Sequence, residues 1–303
     1  MSQRARRILL SGASGLIGSA LRRSAEEKGF EVKTLVRHHR EVRGGATYWN
    51  PAEANRSVHP AALEGFEAIV HLAGANIARR WTRSNREKIV DSRVRSTEVL
   101  CDALRKVRQR PPVLLCASAV GIYGDRGGEV LTEESAPGTG FLAETCVAWE
   151  AAAKGAWELG IRVVHLRFGV VLSRHGGMLS RLLPVFQLAA GGKLGSGEQW
   201  MSWISERDLL RAMWFLIERP TLMDAFNLTA PQPVTNADFT RALAHTVHRP
   251  ALFTVPRAGL RLAFGEMARE TLLASQRAVP WKLETAGFRF EDADIGAALH
   301  SLF

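Results

Sequence analysis

The first half of the chain alternates short apolar runs with longer segments of helical periodicity, and this alternation limits the folds open to it more than any other feature. The apolar runs cover residues 7–10, 31–36, 68–73, 113–118 and 162–168, and the helical patterns cover residues 16–28, about 85–107 and 140–159. Parallel strands need long crossover connections, and helices of this length provide them. The sequence therefore predicts an α/β fold with a doubly wound parallel sheet.

The alternation becomes less regular after Gly169. A helix over residues 178–190, a glycine-rich loop, a strand over residues 199–204 and a helix over residues 206–218 are predicted there. We expect a sheet domain over residues 1–169 and a smaller α/β domain formed mainly by residues 170–303. We also expect elements near residues 198–230 to return to the sheet.

The composition excludes several classes of protein. With 46% hydrophobic residues in a chain of 303, a sizeable core can form. The sequence has no apolar run of about 18 residues, the length that predicts a membrane span. The basic residues Arg4, Arg6 and Arg7 precede only three apolar residues, too few for a signal peptide. We therefore expect a cytoplasmic protein with no membrane partner.

Neither the cysteines nor the net charge indicates a metal ion or a nucleic acid as a partner. The three cysteines, Cys101, Cys116 and Cys146, form no CxxC pair, so we predict no metal site and no disulfide framework. The net charge of +10 comes from dispersed arginines, without a block of five like charges. A basic surface that attracts anionic ligands is the simpler interpretation.

A glycine turn directly follows the first apolar run. Residues 9–18 read LLSGASGLIG, which places glycines in the spacing GxxGxxG between a strand and a helix. Glycines let backbone N–H groups approach a pyrophosphate, and the N-terminus of the helix favours its negative charge. A tight turn without a ligand is the alternative, but the flanking strand and helix favour a dinucleotide site. Its predicted residues are Gly12, Ala13, Ser14, Gly15, Leu16, Ile17 and Gly18.

The end of the second predicted strand indicates which dinucleotide binds. Arg37 lies nineteen residues after Gly18, where NAD enzymes usually carry an acid for the ribose 2′-hydroxyl. An arginine there would pair with a 2′-phosphate, with Arg40 as a neighbour, so we predict NADP(H) in preference to NAD(H). The alternative is that residues 37–40 form a solvated basic loop.

Further segments carry a resemblance to a known superfamily. They read HLAG at residues 71–74, SAVGIYG at 118–124 and LRFG at 166–169. With the glycine turn, in this order and spacing, they resemble the extended short-chain dehydrogenase/reductases of the NAD-dependent epimerase/dehydratase type. The segments DSR at 91–93, WE at 149–150, residues 195–204, WKL at 281–283 and AGF at 286–288 resemble a narrower, atypical epimerase-like group with a distinctive C-terminal domain.

This resemblance implies an NADP-binding fold of little-characterised activity, with a C-terminal substrate domain. It also implies further cofactor contacts from the matching segments, namely Leu72, Ala73, Gly74, Arg93, Ala117, Ser118 and Arg167.

The resemblance also locates a catalytic triad, whose members here are all replaced. Extended members carry a Ser or Thr five residues before the glycine of their YG motif, and a YxxxK pair on the next helix. These positions correspond to Ala119, Cys146 and Glu150, and Ser118 comes one residue too early. A glutamate one helical turn from a cysteine should raise the pKa of its thiol, where the usual lysine favours a tyrosinate.

Two interpretations of these replacements remain open. In the first, Cys146 and Glu150 form a different acid/base pair, and burial raises the pKa of Glu150. In the second, Cys146 is a small buried residue, and Glu150 is a surface charge or a partner of the cofactor ribose. Tyr123 is a third candidate for proton transfer, with Ser118 nearby.

The substrate side of the site is predicted after a glycine-rich loop. Gln199, Trp200 and Trp203 could stack on and hydrogen-bond a sugar or base, although alternating tryptophans also suit packing between domains. We therefore predict an atypical NADP(H)-dependent epimerase or reductase acting on a small anionic or sugar-like molecule. A non-catalytic NADP(H) sensor or interaction protein is the alternative, and a homodimer is compatible with the sequence.

Overall fold

A parallel sheet forms the centre of the protein in the computed structural model, which describes residues 6–53 and 58–303. Arg4, part of the basic start, lies outside the described residues. Strands and helices are numbered in chain order. The strands of the sheet are β1 (Arg7–Ser11), β2 (Glu31–Val36), β3 (Ala46–Tyr48), β4 (Ala68–His71), β5 (Val113–Ala119), β7 (Arg162–Phe168) and β12 (Asp224–Leu228).

The order of these strands across the sheet is β12-β7-β5-β4-β1-β2-β3, and every neighbouring pair is parallel. The chain therefore runs outwards from β1 in one direction and then from β4 in the other. The two loops that follow β1 and β4 diverge at this reversal and leave a crevice at the carboxyl ends of the strands, where ligands bind in sheets of this kind. The predicted doubly wound α/β fold is confirmed.

Helices cover both faces of the sheet. Those of the described residues are α1 (Leu16–Glu27), α2 (Arg83–Asp91), α3 (Val94–Leu104), α4 (Phe141–Ala152), α5 (Lys154–Trp157), α6 (Gly177–Gln187), α7 (Glu206–Glu218), α8 (Asn236–Thr246), α9 (Arg257–Phe264), α10 (Trp281–Thr285) and α11 (Ile295–Ser301). Short 3₁₀ turns occupy His39–Glu41, Pro60–Leu63 and Val120–Tyr123, and a π turn occupies Ala268–Leu272.

Each face of the sheet has its own apolar core. Leu21 of α1 and Met213 of α7 pack with the strands on one side, and Leu100 of α3 and Ala156 of α5 pack on the other. The Trp214 indole N–H of α7 donates to Ser24 Oγ of α1 at 2.9 Å. Both α7 and β12 follow Gly169 in sequence, yet they complete the sheet layer.

The remaining C-terminal elements form a third apolar core that includes Leu172, Trp203, Phe239 and Leu299. Small two-stranded ribbons surround it. Their strands are β6 (Val130–Leu131), β8 (Val170–Leu172), β9 (Gly192–Leu194), β10 (Trp200–Met201), β11 (Trp203–Ser205), β13 (Val234–Thr235), β14 (Phe253–Val255) and β15 (Arg277–Ala278). The strands pair as β6 with β15, β8 with β11, β9 with β14 and β10 with β13.

The helix expected over about residues 85–107 is two helices, because the chain breaks at Ser92 and Arg93. Ser92 Oγ accepts a hydrogen bond from the Ala75 N–H at 2.8 Å. This bond ties the break to the loop after β4, and Arg93 at the break has φ −110° and ψ −67°. A hydrogen bond between two residues that are 17 positions apart in the sequence thus sets the helix boundary.

Two further findings concern the described residues alone. None of their helices combines the length and the apolar character that crossing a membrane requires. They also contain no group of three or more His, Cys, Asp or Glu side chains suited to a metal ion.

Candidate cofactor and active site

The glycine turn lies at the crevice, between the end of β1 and the start of α1. Gly12 has φ +70°, and a Cβ atom on it would lie 2.7 Å from the carbonyl carbon of Leu72. A Cβ on Gly18 would lie 2.2 Å from the Gly12 oxygen, so both positions require glycine for the fold itself. Gly15 is exposed, and a Cβ there would meet only the Gly12 oxygen, at 3.3 Å. Gly15 therefore leaves open the space in front of the helix N-terminus.

A buried histidine holds the loops after β1 and β4 together. Ser11 Oγ lies 2.6 Å from His71 Nδ1, and His71 Nε2 lies 3.1 Å from Ser96 Oγ. Because the Ser96 hydroxyl donates to the Ser92 carbonyl, His71 Nε2 must carry the proton and Nδ1 must accept from Ser11. Ser11 Oγ in turn accepts from the Ala73 N–H at 3.3 Å, which keeps the Leu72–Ala73 segment against Gly12. Complete burial lowers the pKa of His71 to about 4.

This histidine makes the stability of the protein depend on pH. The pKa of His71 falls from 6.5 in the unfolded chain to about 4 in the folded one, so the unfolded chain binds the extra proton first as the pH falls. The stability is therefore complete above pH 6.5, and about 3 kcal/mol of it is lost between pH 6.5 and 4. Denaturant unfolding of the wild type and His71→Asn across this range measures the difference. Equal pH dependence in the two proteins would contradict a neutral His71.

The predicted 2′-phosphate residues lie at the carboxyl end of β2. Arg37 and Arg40 are both exposed there. The ring of His39 stacks on that of Tyr48 at the end of β3, with centroids 3.7 Å apart and an interplanar angle of 13°. The structure thus brings two cations to the edge of the crevice beside a stacked pair of rings.

The positions of the expected triad meet as the helix register predicts. The thiol of Cys146 on α4 forms a hydrogen bond with the backbone of Ala119 at the end of β5. Burial, and then the charge of Glu150, raises the pKa of Cys146 to about 12, so the thiol stays protonated at neutral pH. The prediction that Glu150 raises the pKa of Cys146 is confirmed. Cys146 packs among apolar side chains, including Val120 and Ala278.

Glu150 forms a buried ion pair with Arg167 of β7. Arg167 Nε and an Nη donate to the two carboxylate oxygens at 2.8 and 2.9 Å, and the Ser118 hydroxyl donates to one of them at 2.6 Å. Burial alone would raise the pKa of Glu150, but the hydrogen bonds and charge of Arg167 outweigh it and lower the pKa. The expectation that burial holds this pKa high is therefore wrong. A carboxylate so neutralised is a poor proton acceptor.

Tyr123 extends this network to the edge of the sheet. Its hydroxyl donates to Asn227 Oδ1 at 2.8 Å and accepts from Arg167 at 2.9 Å. The side chain is fully buried, and desolvation raises its pKa although Arg167 opposes the shift. Glu133 completes the network, because its carboxylate accepts from the Asn227 N–H at 2.9 Å. With every polar atom committed, Tyr123 is held as a structural group.

Sequence reasoning missed Asn227 and Glu133, and it assigned Arg167 to the cofactor alone. Asn227 lies at the end of β12 and Glu133 in a loop after β6, far apart in sequence. The signal that could have revealed the pairing was an arginine near the end of a buried strand, since a buried cation needs a carboxylate partner. Ala117 and Ser118, which precede the end of β5, are buried.

The expected substrate residues have different environments. Trp203 is fully buried in the C-terminal core and donates through its indole N–H to the Gln232 carbonyl at 2.9 Å. The amide of Gln199 donates to the Leu194 and Leu272 carbonyls, both at 3.1 Å. These positions fit the packing interpretation better than substrate contact. Trp200 is partly exposed, and the Arg277 guanidinium lies over its ring at 4.1 Å.

A Rossmann-type sheet with a glycine turn at its strand-order reversal defines the class of the protein, an α/β protein of the dinucleotide-binding kind. Within this class, the chain belongs to the NAD dependent epimerase/dehydratase family, whose model matches residues 8–228. A second model, described as a domain of unknown function (DUF1731), matches residues 255–302.

Relatives of known sequence or structure extend this assignment over the whole chain. An epimerase family protein of Mycobacterium tuberculosis is 45% identical over 293 residues, which cover 96% of each protein. The crystal structure of human epimerase family protein SDR39U1 (isoform 2) with NADPH is 30% identical and superposes with a TM-score of 0.88, covering 98% of both chains. A nucleoside-diphosphate sugar epimerase from Corynebacterium glutamicum is 37% identical with a TM-score of 0.80, covering 98% of this chain and 58% of that one.

Proposed function

We propose that this protein binds NADP(H) in the crevice between β1 and β4 and acts as an atypical epimerase or reductase on a small anionic or sugar-like molecule. The observation that carries the proposal is the geometry of the glycine turn. Gly12 and Gly18 are required by the fold, whereas a Cβ on the exposed Gly15 would meet a single atom, the Gly12 oxygen at 3.3 Å, in front of the N-terminus of α1. A glycine that the fold does not need is explained by a ligand that approaches the backbone there.

The cofactor preference rests on two further observations. Arg37 and Arg40 are exposed at the end of β2, where a guanidinium meets the adenosine 2′-phosphate. The human relative SDR39U1 was crystallised with NADPH. Leu72 and Ala73 lie against Gly12 on the opposite side of the crevice, and Gly74 follows them in the chain. We assign substrate binding to the part of residues 170–303 outside the sheet layer, and we place the protein in the cytoplasm.

The chemistry of this site differs from that of a Ser-Tyr-Lys enzyme. A bound NADP(H) supplies or accepts a hydride, but the three triad positions hold Ala119, Cys146 and Glu150. Cys146 stays protonated and Glu150 is neutralised by Arg167, so neither residue moves a proton at neutral pH. The protein must therefore bind and orient the substrate, while the proton comes from solvent or from the substrate.

A second function is favoured by the same buried network. Because Glu150, Arg167 and Tyr123 bond one another, the pocket is rigid and holds no free acid or base among them. That arrangement suits a non-catalytic NADP(H) sensor that changes its partners when the cofactor binds. Substrate-dependent loss of NADPH absorbance would identify a reductase, and conversion of the substrate to its epimer without net change of the cofactor would identify an epimerase, whereas a sensor gives neither result.

The cofactor preference is tested at Arg37. A charge-assisted contact with the 2′-phosphate contributes about 1.5 to 3 kcal/mol, which is roughly tenfold to a hundredfold in affinity. Arg37→Asp should weaken NADPH binding at least tenfold and strengthen NADH binding, because a carboxylate accepts a hydrogen bond from the free 2′-hydroxyl and repels the phosphate. Titrations of both cofactors at one ionic strength give the ratio of their dissociation constants.

The matched control for Arg37→Asp is Arg261→Asp. Arg261 is an exposed arginine of α9, so its replacement makes the same change of net charge. The Arg261 variant should keep the wild-type ratio of the NADPH and NADH dissociation constants. If this ratio did not move towards NADH in Arg37→Asp either, the 2′-phosphate would not bind at the end of β2.

A further inference from the structure

Arg93 has a position that neither the fold nor the triad explains. It lies at the break between α2 and α3, and its guanidinium reaches back to the loop after β4. One Nη donates to the Ala75 carbonyl at 3.1 Å and the other to the Ile89 carbonyl at 3.2 Å. The guanidinium carbon lies 5.1 Å from the ring centroid of Trp149. These contacts fix the orientation of the side chain.

No carboxylate neutralises this guanidinium among the described residues. Its hydrogen-bond partners are two backbone carbonyls and the hydroxyl of Ser92. Desolvation lowers the pKa of Arg93. An arginine nevertheless keeps its proton. Arg167 on the neighbouring β7 has a bidentate carboxylate partner, so the two partly buried cations differ in this respect.

The unpaired cation lies against the loop after β4. A Cβ atom on Gly74 would lie 3.3 Å from the guanidinium carbon of Arg93, so a glycine at this position lets the loop pass close to the guanidinium. Cys146, at the position where the superfamily carries its tyrosine, lies near Arg93. Arg93 thus lies between the loop after β4 and the face of α4 that carries Cys146 and Trp149, beside the reacting end of the proposed cofactor site.

We propose that Arg93 is the anion-binding residue of the substrate site, and that it binds a carboxylate or phosphate group of the substrate next to the nicotinamide. The proposal rests on the proposed NADP(H) function. Arg93 Nε makes no hydrogen bond within the described residues, and the Nη that donates to Ala75 has a second N–H. These donors can form a paired contact with an oxyanion of planar or tetrahedral shape. The substrate class is therefore a small acid or phosphate ester.

The cofactor pyrophosphate is the other anion in the crevice, and the structure favours a separate location for it. The pyrophosphate site is the N-terminus of α1, in front of Gly15. Leu72 and Ala73 contact Gly12 in that turn, whereas Arg93 contacts the chain further on, at Gly74 and Ala75. Two residues of extended chain span about 7 Å, so Arg93 lies beyond the pyrophosphate on the nicotinamide side.

The experiment titrates malonate and inorganic phosphate into the protein saturated with NADP⁺. Arg93→Met removes the charge and keeps the length, Arg93→Lys keeps the charge without the planar fork, and Arg95→Met is the matched control. Arg95 is an exposed arginine two residues away on α3. We expect the wild type and Arg95→Met to bind at least one of the two anions. Arg93→Met should weaken that binding at least tenfold, with Arg93→Lys between them, while the dissociation constant of NADP⁺ changes less than threefold.

Several results would overturn the proposal. Absence of anion binding in the wild type would do so, as would equal binding in wild type and Arg93→Met, which would indicate an adventitious ion only. A tenfold loss of NADP⁺ affinity in Arg93→Met with unchanged anion binding would assign Arg93 to the cofactor. If the wild type bound no NADP⁺ at all, the proposed function would fail, and the same anions titrated into the free protein would then decide Arg93 separately. Thermal unfolding of each variant verifies that it is folded, and Arg93→Lys carries the test if Arg93→Met is not.

Discussion

Replacing Gly15 by valine is expected to abolish NADPH binding while the protein remains folded. Gly15 has φ −76° and ψ 171°, which any residue adopts, and a Cβ there meets one atom at 3.3 Å. The valine methyl groups would fill the space in front of the α1 N-terminus and separate the pyrophosphate from the backbone N–H groups. We expect the dissociation constant to rise at least a hundredfold, equivalent to about 2.7 kcal/mol. Titration of NADPH with parallel thermal unfolding measures both effects.

Two further variants serve as controls for this result, one that should disrupt the fold and one that should have no effect. Gly18→Ala brings a Cβ to 2.2 Å from the Gly12 oxygen, so it should lower the unfolding temperature and lose binding together. Gly128→Val introduces the same side chain into an exposed loop with the Trp200 indole nitrogen 4.0 Å from the new Cβ, and it should leave both properties unchanged. NADPH affinity in Gly15→Val equal to that of the wild type would mean that the pyrophosphate binds elsewhere.

The sheet could be predicted from the sequence because its determinants are local. Buried parallel strands read as short apolar runs, and the five predicted runs up to residue 168 lie within two residues of β1, β2, β4, β5 and β7. The glycine turn was also recognisable, because its spacing and flanking elements depend on adjacent residues. Strands that lack an apolar run escaped this reasoning. The edge strand β3 contains only Ala46–Tyr48, and a three-residue segment carries too little periodicity to be recognised.

The chemistry of the site could not be predicted, because it depends on contacts between distant residues. Both Cys146 and Glu150 lie on the predicted helix, and the direction of the Cys146 pKa followed from the pair. The expected direction of the Glu150 pKa shift was wrong because its partner, Arg167, belongs to a strand that pairs with β5 only in the folded protein. The break at Arg93 was missed for the same reason, since it depends on a bond from Ser92 to the loop after β4.

The ion pair also constrains how the usual triad could be rebuilt. Introducing Ala119→Ser, Cys146→Tyr and Glu150→Lys supplies the three groups that act together in the superfamily. In this structure Glu150→Lys would place an ammonium beside the Arg167 guanidinium, and two buried like charges repel each other. Loss of the glutamate would also remove the acceptor of the Ser118 hydroxyl. Rebuilding the triad therefore requires a change at Arg167 as well.

The largest loss of stability is expected from Glu150→Gln, because it leaves the Arg167 guanidinium buried without its carboxylate. The side chains of the pair are 13% and 10% exposed, so solvent cannot replace the lost charge. Removing one partner of such a pair costs about 3 to 5 kcal/mol, whereas removing both costs far less. The double variant Glu150→Gln/Arg167→Met should therefore be more stable than Glu150→Gln alone.

A double-mutant cycle of denaturant unfolding, with Arg167→Met as its fourth corner, measures the coupling between the two side chains. The pH dependence gives an independent check. Because the folded pKa of Glu150 lies below the unfolded value, the stabilisation is present above the unfolded pKa of about 4.5 and is lost as the pH falls through the folded one. The difference in the free energy of unfolding between wild type and Glu150→Gln should therefore be full at pH 7 and shrink below pH 4.5.

A double-mutant cycle with no coupling would show that Arg167 is held by Tyr123 and the Glu133 carbonyl without help from Glu150. Glu150 would then be free to act on a proton, and the argument against an acid/base role for it would fail.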